Sequence, residues 1–209
     1  MAKKDYEKRS YAFEIRAVED TEKKAGIIEG RPIVYDSRTD IGFFDEIIAK
    51  GALDGANLKD VRFLVNHDYS KIPLARSRNN NENSTMQLMP DDEGLAIRVV
   101  LDTENNTDAR ALYSAVERGD VTGMSFAFAV ADEEWDEIDT DHPTRTVLKI
   151  SEVLEVSAVT FPAYDATEIS ARDKSALDNA RAALDSAKDS LDSELELLKA
   201  KNRIYSEVI

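Results

Sequence analysis

Residues 121–129 read VTGMSFAFA, a pattern that indicates a fold built on β-strands. Side chains alternate between the two faces of an extended strand, so Ser125, Ala127 and Ala129 share one face while methionine and phenylalanine side chains share the other. The large side chains therefore belong to a core, and the serine lies on an uncrowded face. Gly123 would let a backbone N–H approach an oxyanion beside that serine. The pattern predicts a core strand that presents a serine.

Comparable strand patterns recur on both sides of this stretch, as far as residue 170. They are residues 13–17, 26–35, 61–65, 85–89, 95–101 and 146–159. Alternating or β-branched apolar residues characterise these runs, and turn residues separate them, which predicts about six or seven strands. Short helices are expected over residues 45–53 and 107–118. Asn106 or Thr107 is the expected N-cap of the second helix, and Gly119 follows its last turn.

The composition changes near residue 170, which predicts one domain over residues 1–170 and a helical tail over residues 171–209. From Asp173 onward glycine and proline are absent, as in a long helix. Leucine recurs every seven residues, at Leu177, Leu184, Leu191 and Leu198. This spacing predicts one narrow apolar seam along the helix. The seam needs a partner, which is another copy of the helix, the strand-rich domain or a different protein.

The charge balance excludes a general nucleic-acid binder. The 209 residues include 27 Lys+Arg and 42 Asp+Glu, a formal net charge of −15. A surface of this sign repels phosphates and anionic lipid. The absence of cysteine excludes disulfides, thiolate zinc sites and cysteine nucleophiles. No run approaches the roughly 18 apolar residues of a membrane span, and the N-terminal residues lead into no apolar signal core, so we expect a cytoplasmic protein without a membrane partner.

Histidine chemistry has only two places to occur, His67 and His142. His142 lies in the charged turn DTDHP, which is typical of an exposed imidazole. His67 directly follows the apolar run 61–65, and the end of a strand is where a rigid scaffold commonly presents a catalytic side chain. A structural role explains an isolated histidine, or an isolated serine such as Ser125, at least as well. Neither residue identifies a catalytic site by itself.

A third candidate, Glu155, lies within residues 152–163, EVLEVSAVTFPA. Its neighbours are typical of a buried strand, where an ionised carboxylate is costly unless it is paired. A histidine is a suitable partner, because an orienting carboxylate fixes the imidazole tautomer and stabilises the imidazolium that forms as the base takes a serine proton. The chain order would then be His67, Ser125 and Glu155.

Three motifs, in this order, resemble the prohead maturation proteases of tailed bacteriophages. They are Asn66-His67-Asp68, the GMSF strand of residues 123–126 with its aromatic at position 128, and LEVSAVTFPA over residues 154–163. The resemblance covers residues 10–170. It implies a serine endopeptidase with a fold similar to that of the herpesvirus assembly proteases. That fold is mainly β with helices: a closed antiparallel β-barrel ringed by short helices, here followed by a long C-terminal helix.

The roles of the site residues follow from the same resemblance. Ser125 is the nucleophile, His67 is the general base, and Glu155 is the third member by its position in the strand. The herpesvirus relatives have a second histidine in that strand, which this chain lacks. Glu152 is the alternative third member, because the two glutamates are expected on opposite faces of the strand and the sequence does not show which face looks at His67.

The resemblance also implies where and with what the protein acts. Members of the family work inside the immature capsid in the host cytoplasm, cut scaffolding protein or the scaffolding segment of the major capsid protein, and often cut themselves. The related viral proteases are activated by dimerisation, so a homodimer or higher oligomer is expected. No metal or organic cofactor is needed, and the acidic clusters at 132–134 and 139–141 lack the spacing of a calcium loop. The rival interpretations are a capsid assembly protein that does not cut, and an unrelated β-barrel binding module.

Overall fold

The computed structural model describes residues 6–11, 15–20, 25–161 and 166–207. The strands are β1 (Glu7–Tyr11), β2 (Ile15–Asp20), β3 (Ala25–Val34), β4 (Thr39–Asp40), β5 (Asp45–Ile48), β6 (Asp60–Val65), β7 (Ala75–Arg78), β8 (Met86–Asp91), β9 (Gly94–Leu101), β10 (Gly123–Asp136) and β11 (Thr144–Val159). The helices are α1 (Thr107–Glu117) and α2 (Ala166–Glu207). Phe13 and Glu14 of the first predicted strand, and Pro162 and Ala163 of the third motif, lie outside the described residues.

The larger sheet is built on the long antiparallel hairpin of β10 and β11. β1 pairs antiparallel with β10 along its outer edge. β11 is 16 residues long, so two short strands fit one after the other along its far side: β5 pairs with its beginning and β6 with its end, both in parallel. β4 extends the sheet beyond β5, and β7 extends it beyond β6.

The smaller sheet has the order β2-β3-β9-β8 and is antiparallel throughout. Its buried side chains form one core with those of the larger sheet and α1. This core includes Ile28, Ile97 and Val99 from the smaller sheet, Phe63, Phe126 and Phe128 from the larger sheet, and Leu112 and Val116 from α1. Burial of apolar surface between the two sheets therefore holds the β10–β11 hairpin in place.

The fold is mixed α+β and mostly strands, but the closed barrel that the resemblance implied is wrong. The described residues form two open sheets. These sheets contain eleven strands rather than the six or seven that were expected. β7 and β8 lie side by side without a backbone ladder. The Asn80 side chain instead makes two hydrogen bonds of 2.8 Å to the backbone of Leu88. The additional strands β1, β4, β5 and β7 are at most five residues long, so no long apolar run revealed them.

The two short predicted helices had opposite outcomes. The helix expected over residues 45–53 is wrong, because residues 45–48 form β5 and pair with β11, with turns following. The helix expected over residues 107–118 is confirmed as α1. Its N-cap is Asn106, whose side chain accepts hydrogen bonds from the backbone N–H groups of Asp108 (2.9 Å) and Ala109 (3.2 Å).

The long C-terminal helix is present and begins earlier than expected, at Ala166. Leu177 is 4% exposed, and the Arg181 guanidinium donates hydrogen bonds to the carbonyls of Ile138 (3.0 Å) and Thr140 (2.6 Å) in the β10–β11 loop. Leu191 is 66% exposed. The body of the protein therefore covers only the beginning of the leucine seam. In the described part of the chain, neither helix combines the length and apolar character needed to cross a bilayer.

Candidate active site

The pairing of three strands brings the candidate residues onto one face of the larger sheet. In the β10–β11 ladder, Ser125 lies opposite Ser157 and Ala127 lies opposite Glu155. Directly opposed residues share a face, so Ser125, Ser157 and Glu155 project to the same side. β6 runs beside β11 and ends at Val65. The chain then turns, and the turn carries His67 back over this face.

His67 depends on an unusual backbone conformation. Asn66 and His67 have positive φ angles of 50° and 54°, a region that few residues other than glycine adopt. Both residues are tied to β11 and its end: the Asn66 N–H donates to the carbonyl of Ala158 (2.9 Å), and the Asn66 side-chain oxygen accepts from the N–H of Thr160 (2.9 Å). The His67 N–H donates to Ser157 Oγ (3.2 Å). These hydrogen bonds offset the cost of the turn.

The three side chains form a continuous chain of hydrogen bonds. His67 Nε2 lies 2.6 Å from Ser125 Oγ, and His67 Nδ1 lies 2.5 Å from Glu155 Oε1. Ser125 and Glu155 are fully buried, and the His67 side chain is 12% exposed. In this geometry an imidazole can take the hydroxyl proton while a carboxylate holds its other nitrogen. The structure thus brings together all three residues that the sequence put forward.

Ser125 Oγ also lies 2.8 Å from the backbone carbonyl oxygen of Arg9 in β1 and is placed to donate to it. A hydroxyl has one hydrogen, so it cannot donate to this carbonyl and to His67 Nε2 at the same time. When Oγ–H points to Arg9, Nε2 must itself carry the hydrogen that joins it to Oγ. In that state His67 cannot accept the proton of Ser125, so the carbonyl competes with the base.

A family model of the caudovirus prohead serine protease matches residues 11–181 of the chain. The chain belongs to this family. The prohead protease of Enterobacteria phage HK97 is 31% identical over 152 residues, which are 71% of this chain and 60% of that relative. The chain therefore spans 60% of the length of this relative. The solved structure of the bacteriophage T4 capsid assembly protease is similar over 76% of this chain and 97% of that one, with 14% identity and a TM-score of 0.43.

In this member of the prohead protease family, the alternative third residue lies elsewhere. The Glu152 carboxylate accepts hydrogen bonds from the Tyr6 hydroxyl (2.9 Å) and the Asn57 amide (2.8 Å). The expectation that the two glutamates face opposite sides was wrong, because a register shift interrupts the alternation of β11. Glu152 pairs with Ala129 and Glu155 with Ala127. These two alanines share a face, so the two carboxylates also lie on one face. They differ in position along the strand and therefore in their hydrogen-bond partners.

The second histidine also has its own neighbours. The His142 imidazole lies 3.3 Å from Asp45 and 3.8 Å from Asp40, and the side chain is 42% exposed. These three residues bring one ligand atom each to within 4.8 Å of one another. Arg38 donates to Asp45 at 2.6 Å, so a cationic side chain already neutralises part of this cluster. The arrangement is that of exposed ion pairs, and it contributes no group to the serine and histidine pair.

A buried ion network that no sequence pattern indicated lies on the other face of the sheet. Arg9 in β1 makes two hydrogen bonds to Glu46 in β5, of 2.5 and 2.8 Å. Arg145 in β11 bonds to Glu46, to Glu7 and to Glu133. Burial raises the pKa of Glu7, but hydrogen bonds and charges from Arg145 and Arg9 outweigh it, so the pKa lies below its ordinary value. The network holds β1 against the rest of the sheet. It joins residues that are distant in sequence, so no local pattern predicts it.

An apolar cleft of about 400 Å³ opens beside the turn that carries His67. Asn66 and Asp68, on either side of the histidine, contribute to its wall. Its apolar lining includes Leu64, Val65, Leu74, Leu112, Ala115 and Val121. Clefts of this size accommodate ligand groups. This one borders the residues on either side of His67, but none of His67, Ser125 and Glu155 lines it.

Proposed function

We propose that this chain is a serine endopeptidase in which Ser125 is the nucleophile, His67 the general base and Glu155 the residue that orients the base. The observation that carries the proposal is the unbroken run of hydrogen bonds from Ser125 through His67 to Glu155, at 2.6 and 2.5 Å. Membership of the prohead serine protease family supports it. A capsid assembly protein that does not cut has no need of these three groups in this order.

The proposed mechanism follows from the positions of the protons. His67 Nε2 accepts the Ser125 hydroxyl proton as Oγ attacks the scissile carbonyl, and the Glu155 carboxylate stabilises the imidazolium that results. The imidazolium then donates its Nε2 proton to the leaving amine, which leaves an acyl-serine. A water molecule then gives a proton to His67 as it attacks the acyl-serine, and His67 returns the proton to Ser125 Oγ as the acyl group leaves as the acid. Backbone N–H groups near Gly123 or in a neighbouring loop are the candidate oxyanion donors, and the chemistry requires no metal or organic cofactor.

The proposed substrates are capsid components. We assign to the enzyme the cleavage of scaffolding protein or of the scaffolding segment of the major capsid protein, and of its own chain, inside the immature capsid in the host cytoplasm. The similarity to the prohead protease of phage HK97 supports this assignment. A homodimer or higher oligomer is part of the proposal. The net charge of −15 makes nucleic acid an unsuitable partner.

Replacement of either reacting group tests the proposal. Ser125→Ala and His67→Ala should each lower cleavage on the order of 10³-fold or more, because the members of such a unit work together. The measurement is mass spectrometry of the protein expressed with capsid and scaffolding proteins, which detects self-cleavage and substrate cleavage together. His142→Asn is the matched control, since it removes the other histidine and should leave cleavage unchanged.

Circular dichroism on the same variants establishes that each is folded. A folded Ser125→Ala variant that still cuts capsid or scaffolding protein would remove Ser125 from the mechanism. A wild-type protein that cuts neither these proteins nor itself would favour the assembly protein that does not cut.

A further inference from the structure

Ser157 is a buried serine whose hydroxyl has two partners in the site. Its Oγ donates to Glu155 Oε2 at 2.6 Å and accepts the backbone N–H of His67 at 3.2 Å. It is fully buried and lies opposite Ser125 in the β10–β11 ladder. One hydroxyl therefore holds the free oxygen of the carboxylate and the backbone of the base at the same time.

Both partners would be costly to leave unpaired. Glu155 is fully buried, so its second oxygen has no exposed surface through which water could replace Ser157. The N–H of His67 lies in the left-handed turn at φ 54°, which depends on its hydrogen bonds to β11. On the same face, the charged residues beside Glu155 are Arg62 of β6, which is bonded to Asp60, and Lys8 of β1.

We propose that Ser157 is a positioning residue of the catalytic site, which fixes the Glu155 carboxylate and the His67 backbone in the relative orientation that the His67–Glu155 hydrogen bond needs. This rests on the proposed protease function. Ser157 does not touch the reacting atoms and transfers no proton. Its effect belongs to the chemical step, because the hydrogen bond it aligns is the one that stabilises the imidazolium.

Ser157→Ala tests the role with Ser77→Ala as a matched control. Among the described residues, Ser77 is also a fully buried serine of the larger sheet, and its hydroxyl makes no hydrogen bond. We expect Ser157→Ala to lower kcat about 10- to 100-fold with little change in KM, the range that a hydrogen bond to a charged group carries. Ser77→Ala should leave both constants unchanged.

A second readout separates positioning from a merely structural role. A proton held between an imidazole and a carboxylate resonates far downfield in the NMR spectrum, and His142→Asn leaves His67 as the only histidine. In this background Ser157→Ala should move or broaden that resonance, while Ser77→Ala should not. Unchanged kcat and an unchanged resonance in Ser157→Ala would overturn the inference. Failure of the protease proposal is distinct from this, since the Ser157-intact protein would then not cleave at all.

An independent observation concerns access to Ser125. β1 pairs with β10 along Glu7 to Tyr11, with Ser10 opposite Ser125. On the same face, the Lys8 ammonium lies 5.1 Å from the centre of the Tyr69 ring. Ser125 is 0% exposed, so a substrate carbonyl cannot reach Oγ until part of its surroundings moves, and β1 is the strand beside it at the end of the sheet order. The Arg9 carbonyl also competes for the hydroxyl proton, at 2.8 Å.

We infer that β1 is an intramolecular cover of the nucleophile and must separate from β10 before Ser125 reacts. This too rests on the proposed protease function. The cover is anchored on the other face of the sheet by the hydrogen bonds of Arg9 to Glu46 and by those of Arg145 to Glu7. Weakening this anchor should therefore increase the reactivity of Ser125.

A disulfide between β1 and β10 tests the cover. Lys8 and Ala127 are directly opposite, at a Cα separation that a disulfide can bridge. The chain has no cysteine, so Lys8→Cys with Ala127→Cys can form only this disulfide within one chain. The probe is a fluorophosphonate, whose phosphorus is attacked by Oγ with loss of fluoride while His67 takes the proton. We expect the oxidised protein to be labelled at least about 10-fold more slowly than the same protein after reduction with dithiothreitol.

Glu46→Gln is the complementary variant and should be labelled faster than the wild type. Equal labelling of the oxidised and reduced double-cysteine protein would show that β1 need not move, and would overturn the inference. The protease proposal is checked separately, because reduced protein should cleave capsid substrate and the same protein with Ser125→Ala should not.

Discussion

Glu155 and Glu152 are similar side chains of one strand, but only the Glu155 carboxylate contacts the His67 ring. Glu155→Gln keeps the volume but replaces an ionised acceptor with an amide, so His67 loses the group that orients it and stabilises its charge. Cleavage should fall on the order of 10³-fold or more. Glu152→Gln should have little effect, because Glu152 is bonded to Tyr6 and Asn57. Initial rates of capsid-protein cleavage by the two variants give the comparison, and an equal loss in both would contradict this assignment of the third residue.

The three central side chains could be put forward from the sequence because their motifs occur together in the order typical of a known family, whereas each residue alone is explained as well by a structural role. It could not choose between Glu152 and Glu155, because the choice depends on a register shift in β11 that leaves no trace in local alternation. Ser157 was missed for a different reason. A serine in a buried strand has no pattern of its own, and its role becomes visible only when β6 and β11 bring His67 within reach of its hydroxyl.

At the scale of elements, the attachment of β1 depends on ionised carboxylates. The pKa of Glu7 is lowered below its ordinary value of 4.5, because interactions with Arg145 and Arg9 outweigh the opposing effect of burial. A carboxyl whose pKa is lower in the folded state stabilises the fold above its unfolded pKa and loses that contribution as the pH falls through the folded value. Protection of the β1 amides from hydrogen exchange should therefore decrease as the pH falls below 4.5.

Glu7→Gln provides the control for this acid effect. The variant lacks the titrating group, so its free energy of unfolding at neutral pH should be lower by about 1.5 to 3 kcal/mol, the range for a hydrogen bond to a charged group. Its stability should also depend less on pH in the acid range than that of the wild type. Parallel pH profiles for the two proteins would show that Glu7 does not contribute.

Several elements were mispredicted because their partners are distant in sequence. Residues 45–48 form a strand through parallel pairing with residues 144–147, and Glu46 in that strand is buried against two arginines. A local pattern contains neither fact. In contrast, α1 was predicted, with Asn106 or Thr107 as its N-cap, because a capping residue and the apolar face of the helix are both local signals. Local patterns also could not show that the strands form two open sheets rather than a closed barrel, since this depends on how β7 and β8 approach each other.

At the scale of the whole molecule, the domain boundary proposed at residue 170 is tested by two truncations of α2. Residues 173–189 include the buried Leu177 and the Arg181 side chain that binds the β10–β11 loop, whereas the side chains of residues 190–199 are exposed. Removal of residues 190–209 should leave the thermal midpoint unchanged. Removal of residues 173–209 should lower it by about 4–8 °C, because loss of a buried leucine costs about 2 kcal/mol in a domain of this size.

The same two truncations also test the proposed oligomer, when light scattering is measured beside thermal unfolding. Leu177, at the beginning of the seam, is 4% exposed, whereas Leu191 and Leu198 further along the helix are 66% and 51% exposed. If the exposed leucines form the contact between subunits, removal of residues 190–209 should reduce the molar mass of the particle while each subunit stays folded, since the body of the protein covers Leu177 within its own chain.

If the shorter truncation changes neither the molar mass nor the thermal midpoint, the exposed part of the seam stabilises neither the fold nor the oligomer. A midpoint unchanged by the longer truncation would instead support an independent domain over residues 1–170, because the contacts of Leu177 and Arg181 would then contribute nothing to its stability.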